Sequence, residues 1–451
     1  MKPSMTPTNT VLLFGLWCSL FCLPITAMAA RPVRAAKTKK ANVPKVLSLA
    51  QVYRLLHQKN WDLKILKKRL VQAEITRSRA WTFLLPVIQG VGSYTYNNST
   101  AFAAQQQAGQ VFLQQHQYSA SLQLNWKVVN FQNIPLLRIA YMSEKQFKYS
   151  AHQIRRESFF AAARAYYSVL LAEGMVRISR KTLKNTNTHY RQALERYKAK
   201  LTTRVDVMRA RLDYTKAHNS LQNSQIGLSK ARLALALLLG LESFPWAVTR
   251  PPTPQLPAKT QRQLLKLAQT QRAELKGKKL AVKIAKAQLT QSWMKALPTL
   301  SVTGNVNISN APAQLPESSF TQWTMGVTLT IPLFQAGRII MDVKTKTNQL
   351  QQVRLDFKKL QQSVRNETKT SLLDWKNARL NVSNAREQWK LAQATYKLNQ
   401  QRYKAGVASA VAMSDANTQL FSTSIQFLRE QLNQDLATLN LLRVIGSLKT
   451  R

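Results

Sequence analysis

Three stretches of this chain alternate apolar and polar residues with a period of two. From Tyr118 the apolar set is Tyr118, Ala120, Leu122, Leu124 and Trp126, interleaved with Ser119, Ser121, Gln123 and Asn125. From Thr299 it is Leu300, Val302, Val306 and Ile308, set against Ser301, Thr303, Asn305 and Asn307. From Thr321 it is Trp323, Met325, Val327, Leu329 and Ile331, set against Gln322, Thr324, Thr328 and Thr330. A weaker copy follows Pro86 and ends in Tyr94 and Tyr96. Such alternation predicts strands with one apolar face and one wetted face. The polar faces are uncharged apart from the end residue Lys127, and aromatics lie near the strand ends. A membrane barrel with an aqueous bore fits this pattern, and a soluble sandwich alternates equally well.

The helical signal separates the two. Between about residues 339 and 405 no proline occurs, and such a helix would run on the order of 100 Å. Apolar residues recur there at steps of three and four. Leu350, Val353, Phe357, Leu360 and Val364 form one run; Trp375, Ala378, Val382, Ala385, Trp389, Ala392, Tyr396 and Tyr403 form another. This is heptad spacing with a phase slip near Ser371. A second stripe, Leu373, Leu380, Leu391 and Leu398, lies off the first, and two seams predict two helical neighbours, as in a closed ring. Ile425, Leu428, Leu432, Leu439 and Leu442 continue the theme, with Asp435 interrupting one seam position.

The chain also repeats itself. Leu84-Leu85-Pro86 returns as Ala296-Leu297-Pro298, and Asn130-Phe131-Gln132 as Leu333-Phe334-Gln335. Arg196-Tyr197-Lys198-Ala199 returns as Arg402-Tyr403-Lys404-Ala405, and Leu238-Leu239-Gly240 as Val444-Ile445-Gly446. The organisation read from this is a leader over 1–29, a basic segment 30–45, a first repeat 46–241, a proline-rich link 242–258 and a second repeat 259–447. Each repeat is ordered helix, strand, strand, long helix, helix, and neither helix nor strand runs on through the prolines of the link.

The leader reads as a secretory signal. Lys2 precedes the apolar run Val11–Leu23, and Ala27-Met28-Ala29 offers small residues for cleavage. Both cysteines, Cys18 and Cys22, fall inside it, preceded by the large Trp17 and Phe21 where a lipidation site wants a small residue. A mature chain starting near Ala30 then has no cysteine, which excludes disulfides, thiolate metal sites and cysteine catalysis. No later stretch is long and apolar enough to span a membrane as a helix, so any crossing is by a barrel.

Charge changes the picture less than its size suggests. Lys plus Arg number 66 against 19 Asp plus Glu, a formal net charge of +47. The cations spread along the whole chain with no nucleic-acid motif; the one local cluster, Arg31, Arg34, Lys37, Lys39, Lys40 and Lys45, reads as a solvated tail. Nucleic acid is therefore not an expected partner. His57, His116, His152, His189 and His218 lack metal-ligand spacing. No acid, base and nucleophile set marks an enzyme, no nucleotide loop is present, and no cofactor is expected.

On these residues the chain resembles the TolC-like outer-membrane efflux family. The pattern is fullest in Ile331-Pro332-Leu333-Phe334-Gln335-Ala336-Gly337-Arg338 and Arg402-Tyr403-Lys404-Ala405-Gly406, and it covers about Val46 to Gly446. The first half departs from it: Asn130-Phe131-Gln132-Asn133 replaces Pro-Leu-Phe, and Lys200 stands where glycine is expected. The resemblance implies a mainly α protein with membrane β: a trimer with a long antiparallel helical barrel in the periplasm and a twelve-stranded β-barrel, four strands per subunit. It implies a passive conduit in the bacterial outer membrane, serving a tripartite efflux or type I secretion system with a periplasmic adaptor and an inner-membrane pump. The alternative is a periplasmic coiled-coil adaptor or a surface structural protein.

Two sets of site residues follow. Leu122, Leu124, Trp126, Val302, Val306, Trp323, Val327 and Leu329 are expected to face outer-membrane lipid. The family's periplasmic mouth carries two aspartates three apart just after the Tyr-Lys-x-Gly segment; here Ala412 replaces the first and Asp415 keeps the second. In the first repeat Asp206 matches Ala412 and Arg209 matches Asp415. Asp415, Asp206 and Arg209 are thus the expected aperture residues, with an arginine–carboxylate contact between neighbouring helices.

Overall fold

Each repeat opens on the same cap. Ser48 and Gln51, and again Thr260 and Gln263, exchange side-chain and backbone bonds around the first helical turn, satisfying donors that no helix can bond internally. The structure, a computed structural model, describes residues 46–97, 116–256, 260–310 and 320–448. The leader 1–29 with its two cysteines, the basic segment 30–45 and the last two residues of the link lie outside the described residues. The order is β1 Val46–Leu47, α1 Leu49–Lys59, α2 Trp61–Thr82, β2 Val87–Tyr96, β3 His116–Asn130, α3 Asn133–Lys198, α4 Arg204–Leu239, β4 Ala247–Val248, α5 Gln261–Gln271, α6 Ala273–Trp293, a 3-10 turn Met294–Ala296, β5 Thr299–Ser309, β6 Phe320–Thr330, α7 Arg338–Lys404 and α8 Ala410–Val444.

The long helices are α3, with 66 residues, and α7, with 67, each roughly 100 Å long. Neither has a single partner of that length. The 36 residues of α4 and the 22 of α2 both pack along α3, and they meet where Asn60 Nδ2 donates to the Leu238 carbonyl at 2.6 Å. In the second repeat α8 and α6 pack along α7 in the same way, and Ser447 Oγ reaches Gln271 Oε1 at 3.4 Å beside their junction. The two repeats join through α3, which packs on both α6 and α8. The side-by-side order is therefore α2-α3-α6-α7 in the half next to the strands and α4-α3-α8-α7 in the half away from them.

The main core lies halfway along α3. Tyr166 and Tyr167 are buried there with Val52 and Leu56 of α1 and Leu235 and Leu239 of α4. Burying such side chains contributes about 1.5–3 kcal/mol each. The Tyr166 hydroxyl donates to the carbonyls of Leu47 and Thr249, which fixes the short parallel pair of β1 and β4 against the helices.

On α7 the phase slip expected near Ser371 is present, and it falls on one member of the seam only. Val343, Leu350, Phe357, Val364, Ser371, Ala378, Ala385 and Ala392 keep an unbroken seven-residue step of buried or half-buried positions. What changes near Ser371 is the companion position. It lies three residues on at Val353 and Leu360, and four on at Val382, Trp389 and Tyr396. A straight helix drifts about 20° per heptad, and this switch keeps two side chains on the seam. The second stripe, Leu373, Leu380, Leu391 and Leu398, is exposed on the subunit's surface.

The strands form one antiparallel sheet in the order β2-β3-β5-β6. An irregularity between Lys127 and Val129 shifts the register, so that Val129 lies opposite Leu300 and the apolar residues stay on one face.

Candidate functional site

Cross-strand register gathers the alternating residues into rows. Leu122 lies opposite Val306, and Val306 opposite Trp323; Trp126 lies opposite Val302, and Val302 opposite Val327; Leu300 lies opposite Leu329. Leu124 pairs with Ile88 on one side and Gly304 on the other. All eight residues expected to meet lipid therefore share one face. The other face carries Gln89 Nε2 donating to Gln123 Oε1 at 2.9 Å and the Ser93–Ser119 hydroxyl pair at 2.7 Å.

Burial on this sheet is inverted. Over residues 116–123 of β3 and 305–309 of β5, the apolar residues are exposed and the polar ones half-buried. A sheet packed in a soluble sandwich shows the opposite. Nearer the helices the contrast fades: Leu124 and Val302 are half-buried, whereas Val327 is 68% exposed and Trp323 74%. Aromatics bracket the face. Tyr94, Tyr96, Tyr118 and His116 cluster at one end, with Tyr94 Oη 2.9 Å from His116 Nδ1. At the other end Trp126 Nε1 donates to the Leu84 carbonyl at 3.0 Å.

The second constellation lies at the far ends of the long helices. Both helices stop in the same turn: Leu201 N–H reaches Arg196 O and Lys200 N–H reaches Tyr197 O, as Val407 reaches Arg402 and Gly406 reaches Tyr403. This pair of hydrogen bonds closes a helix on a left-handed residue. Gly406 takes that conformation at φ +80°, and Lys200 takes it at φ +58° despite its side chain. The missing glycine of the first repeat thus leaves the turn unchanged.

The expected aperture residues part company here. Asp206 completes a capping box at the start of α4: its carboxylate accepts from the hydroxyls of Thr202 and Thr203, each at 2.8 Å, and from Thr203 N–H at 3.3 Å. Those donors hold the carboxyl below its ordinary range, with Arg209 adding a smaller Coulomb pull. Arg209 and Asp415 are exposed, and neither forms an ion pair among the described residues. The expected arginine–carboxylate contact is therefore absent within the subunit, because Asp206 is turned toward its own helix start.

Other residues join the two tips. Arg196 Nη1 donates to Tyr403 O at 2.7 Å, and Ser414 Oγ donates to Asp213 Oδ2 at 2.5 Å. His189 sits edge-on to Tyr396 and Tyr403, its Nε2 3.4 Å from Tyr396 Oη, and burial lowers its pKa. A cavity of about 30 Å³ lies among Thr186, His189, Arg209, Asp213, Tyr403 and Ser414. The cap at Asp206 was readable in the sequence as Thr203-x-x-Asp206. No local signal marks the contacts of Arg196, His189 or Asp213, whose partners lie 201 to 207 residues away.

Among the described residues no group of His, Cys, Asp or Glu could hold a metal ion, and no helix is long and apolar enough to cross a membrane. Comparison with known proteins gives this geometry its setting. The chain is 21% identical over 349 residues to the probable outer membrane lipoprotein SilC of Salmonella typhimurium, covering 73% of this chain and 72% of that protein. The CmeC outer membrane channel of Campylobacter jejuni superposes with a TM-score of 0.74 at 16% identity, over 89% of this chain and 86% of that one. The open state of the Neisseria gonorrhoeae MtrE outer membrane channel gives 0.73 at 18% identity, over 89% and 90%. The fold is TolC-like. The profile of outer membrane efflux proteins matches residues 52–241 and 264–447, nearly the two repeats entire. The chain belongs to the outer membrane efflux protein family, and is an efflux channel of the bacterial outer membrane rather than an enzyme.

Proposed function

We propose that three copies associate head to tail into a passive export conduit, with twelve strands in lipid and the long helices forming its periplasmic tunnel. One observation carries this reading: every layer of the subunit ends in the same two unpartnered edges. β2, α2 and α4 form one edge, and β6 and α7 the other. A four-stranded sheet with open edges is intolerable in lipid, and heterologous edges close into rings. Both helical edges carry exposed apolar seams, Val205, Leu212, Ile226 and Leu233 on α4 and Leu373, Leu380, Leu391 and Leu398 on α7.

In this assembly Leu122, Leu124, Trp126, Val302, Val306, Trp323, Val327 and Leu329 meet lipid, and the polar face lines the bore. The tips bearing Asp415, Asp206 and Arg209 surround the periplasmic mouth. A periplasmic adaptor and an inner-membrane pump supply contact and energy, in a tripartite efflux or type I secretion system exporting drugs, metals, small molecules or proteins. The test is extraction of outer membranes in mild detergent. A heat-modifiable trimer is expected, and Leu373→Glu/Leu380→Glu should reduce it to monomer. An unchanged chain that is monomeric after extraction contradicts the reading.

A further inference from the structure

Where the sheet gives way to helices, contacts hold one level of the subunit: Trp126 to Leu84, Asn133 Nδ2 to the Phe83 carbonyl at 3.2 Å, and Lys295 to Asp342 at 2.7 Å. From this level Leu333 and Phe334 project 92% and 87% exposed, more than any other large apolar side chain among the described residues. Pro332 precedes them, and Ala336 and Gly337 follow in the left-handed region at φ +47° and +75°. Glycine takes this conformation freely, whereas the alanine takes it against its side chain.

Two arginines, one at the matching place of each repeat, share one arrangement. Arg138 on α3 has Ile134 four residues before it and Tyr141 three after; Arg338 on α7 has Phe334 four before and Met341 three after. All six side chains are exposed. Neither arginine forms an ion pair among the described residues; Arg338 adds only a minor pull on Asp342, whose partner is Lys295. Residues 77–87, 126–141, 293–299 and 330–342 together contain Arg77, Arg79, Lys127, Arg138, Lys295 and Arg338 against a single carboxylate, Asp342, which Lys295 pairs.

Unpaired guanidinium groups flanked by exposed apolar side chains suit the boundary where acyl chains meet phosphates, since long cationic side chains reach from one to the other. We propose that this collar binds anionic phospholipid of the periplasmic leaflet, with Leu333 and Phe334 in the acyl layer and Arg138 and Arg338 on headgroup phosphate. The proposal rests on the lipid-facing reading of the strands.

The purified protein is placed in vesicles of phosphatidylcholine alone and of phosphatidylcholine with phosphatidylglycerol, and thermal unfolding is followed by tryptophan fluorescence. The midpoint is expected several degrees higher with phosphatidylglycerol. The Arg138→Gln/Arg338→Gln variant should lose that difference and keep its midpoint in phosphatidylcholine. Equal midpoints for the unchanged chain, or a difference that survives in the double variant, overturn the proposal. Phe334→Ser separates the other use of the loop: trimers that dissociate in detergent before any lipid is added make Phe334 an inter-subunit contact and overturn its placement in lipid. A chain that enters neither vesicle refutes the lipid-facing strands themselves, and the collar with them.

Discussion

Arg196 donates to the backbone carbonyl of Tyr403 at 2.7 Å and holds its guanidinium 5.1 Å from the same residue's ring. The two residues belong to the two copies of one repeated segment, so the arginine of the first turn braces the tyrosine of the second. A hydrogen bond from a charged group contributes about 1.5–3 kcal/mol. Arg196→Ala is expected to loosen the tips and raise single-channel conductance, with Arg196→Lys intermediate because it keeps the charge and loses the planar fork. Unchanged conductance in Arg196→Ala would show that the brace does not restrict the mouth.

Asp206 acts first on its own helix. Thr203→Ala or Asp206→Ala should each lower stability by about 1 kcal/mol through loss of the cap. Because the folded carboxyl is held below its ordinary range, its contribution is full above that range and disappears as pH falls through the lowered folded value. Conductance of Asp415→Ala, Arg209→Ala and the double variant at low and high salt tests the remaining pair. Coupled increases that shrink with salt place both at the mouth, and three unchanged conductances remove them from it.

Asp435 has the opposite sign. It is 1% exposed, and Arg250 approaches its Oδ2 only to 3.5 Å, so burial raises its pKa against that partner's pull. The folded chain favours the neutral acid. Stability is therefore greatest below the ordinary carboxylate range and falls as pH rises through the raised folded value. Asp435→Asn should flatten this dependence and stabilise the protein by about 1 kcal/mol at neutral pH, read from thermal unfolding. A variant less stable than the parent at neutral pH would show that the Arg250 contact outweighs the burial.

Fixed positive charge concentrates anions. The described strands carry a single Lys or Arg, Lys127, so the helices hold nearly all the described cations. A reconstituted pore is expected to prefer anions in reversal-potential measurements across a salt gradient, and cation preference would contradict a cationic tunnel.

Most of the architecture was legible because it rests on periodicity. The helix expected over about 339–405 is Arg338–Lys404, and strands expected from Thr299 and Thr321 begin at Thr299 and Phe320. The strand after Pro86 was faint because Gly90 and Gly92 occupy positions where the apolar alternation would fall. The tips were not legible. The repeat shows that Asp206 matches Ala412, yet equivalence in a repeat is not contact in space. Whether a carboxylate turns to its own helix start or to a neighbour depends on the two hydroxyls at Thr202 and Thr203, and on where the other tip comes to rest.

In the proposed assembly the apolar strand face lies in lipid and its alternate face lines water. Val327 and Thr328 are adjacent on β6, opposite Val302 and Ser301 respectively. Val327→Arg and Thr328→Arg are compared for assembly into the outer membrane of cells expressing each at equal levels. Arginine on a lipid face costs about 2–4 kcal/mol per site near the bilayer midplane, so Val327→Arg should fail to assemble while Thr328→Arg assembles close to the parent level. Equal loss in both variants, or greater loss in Thr328→Arg, would contradict the assignment of faces.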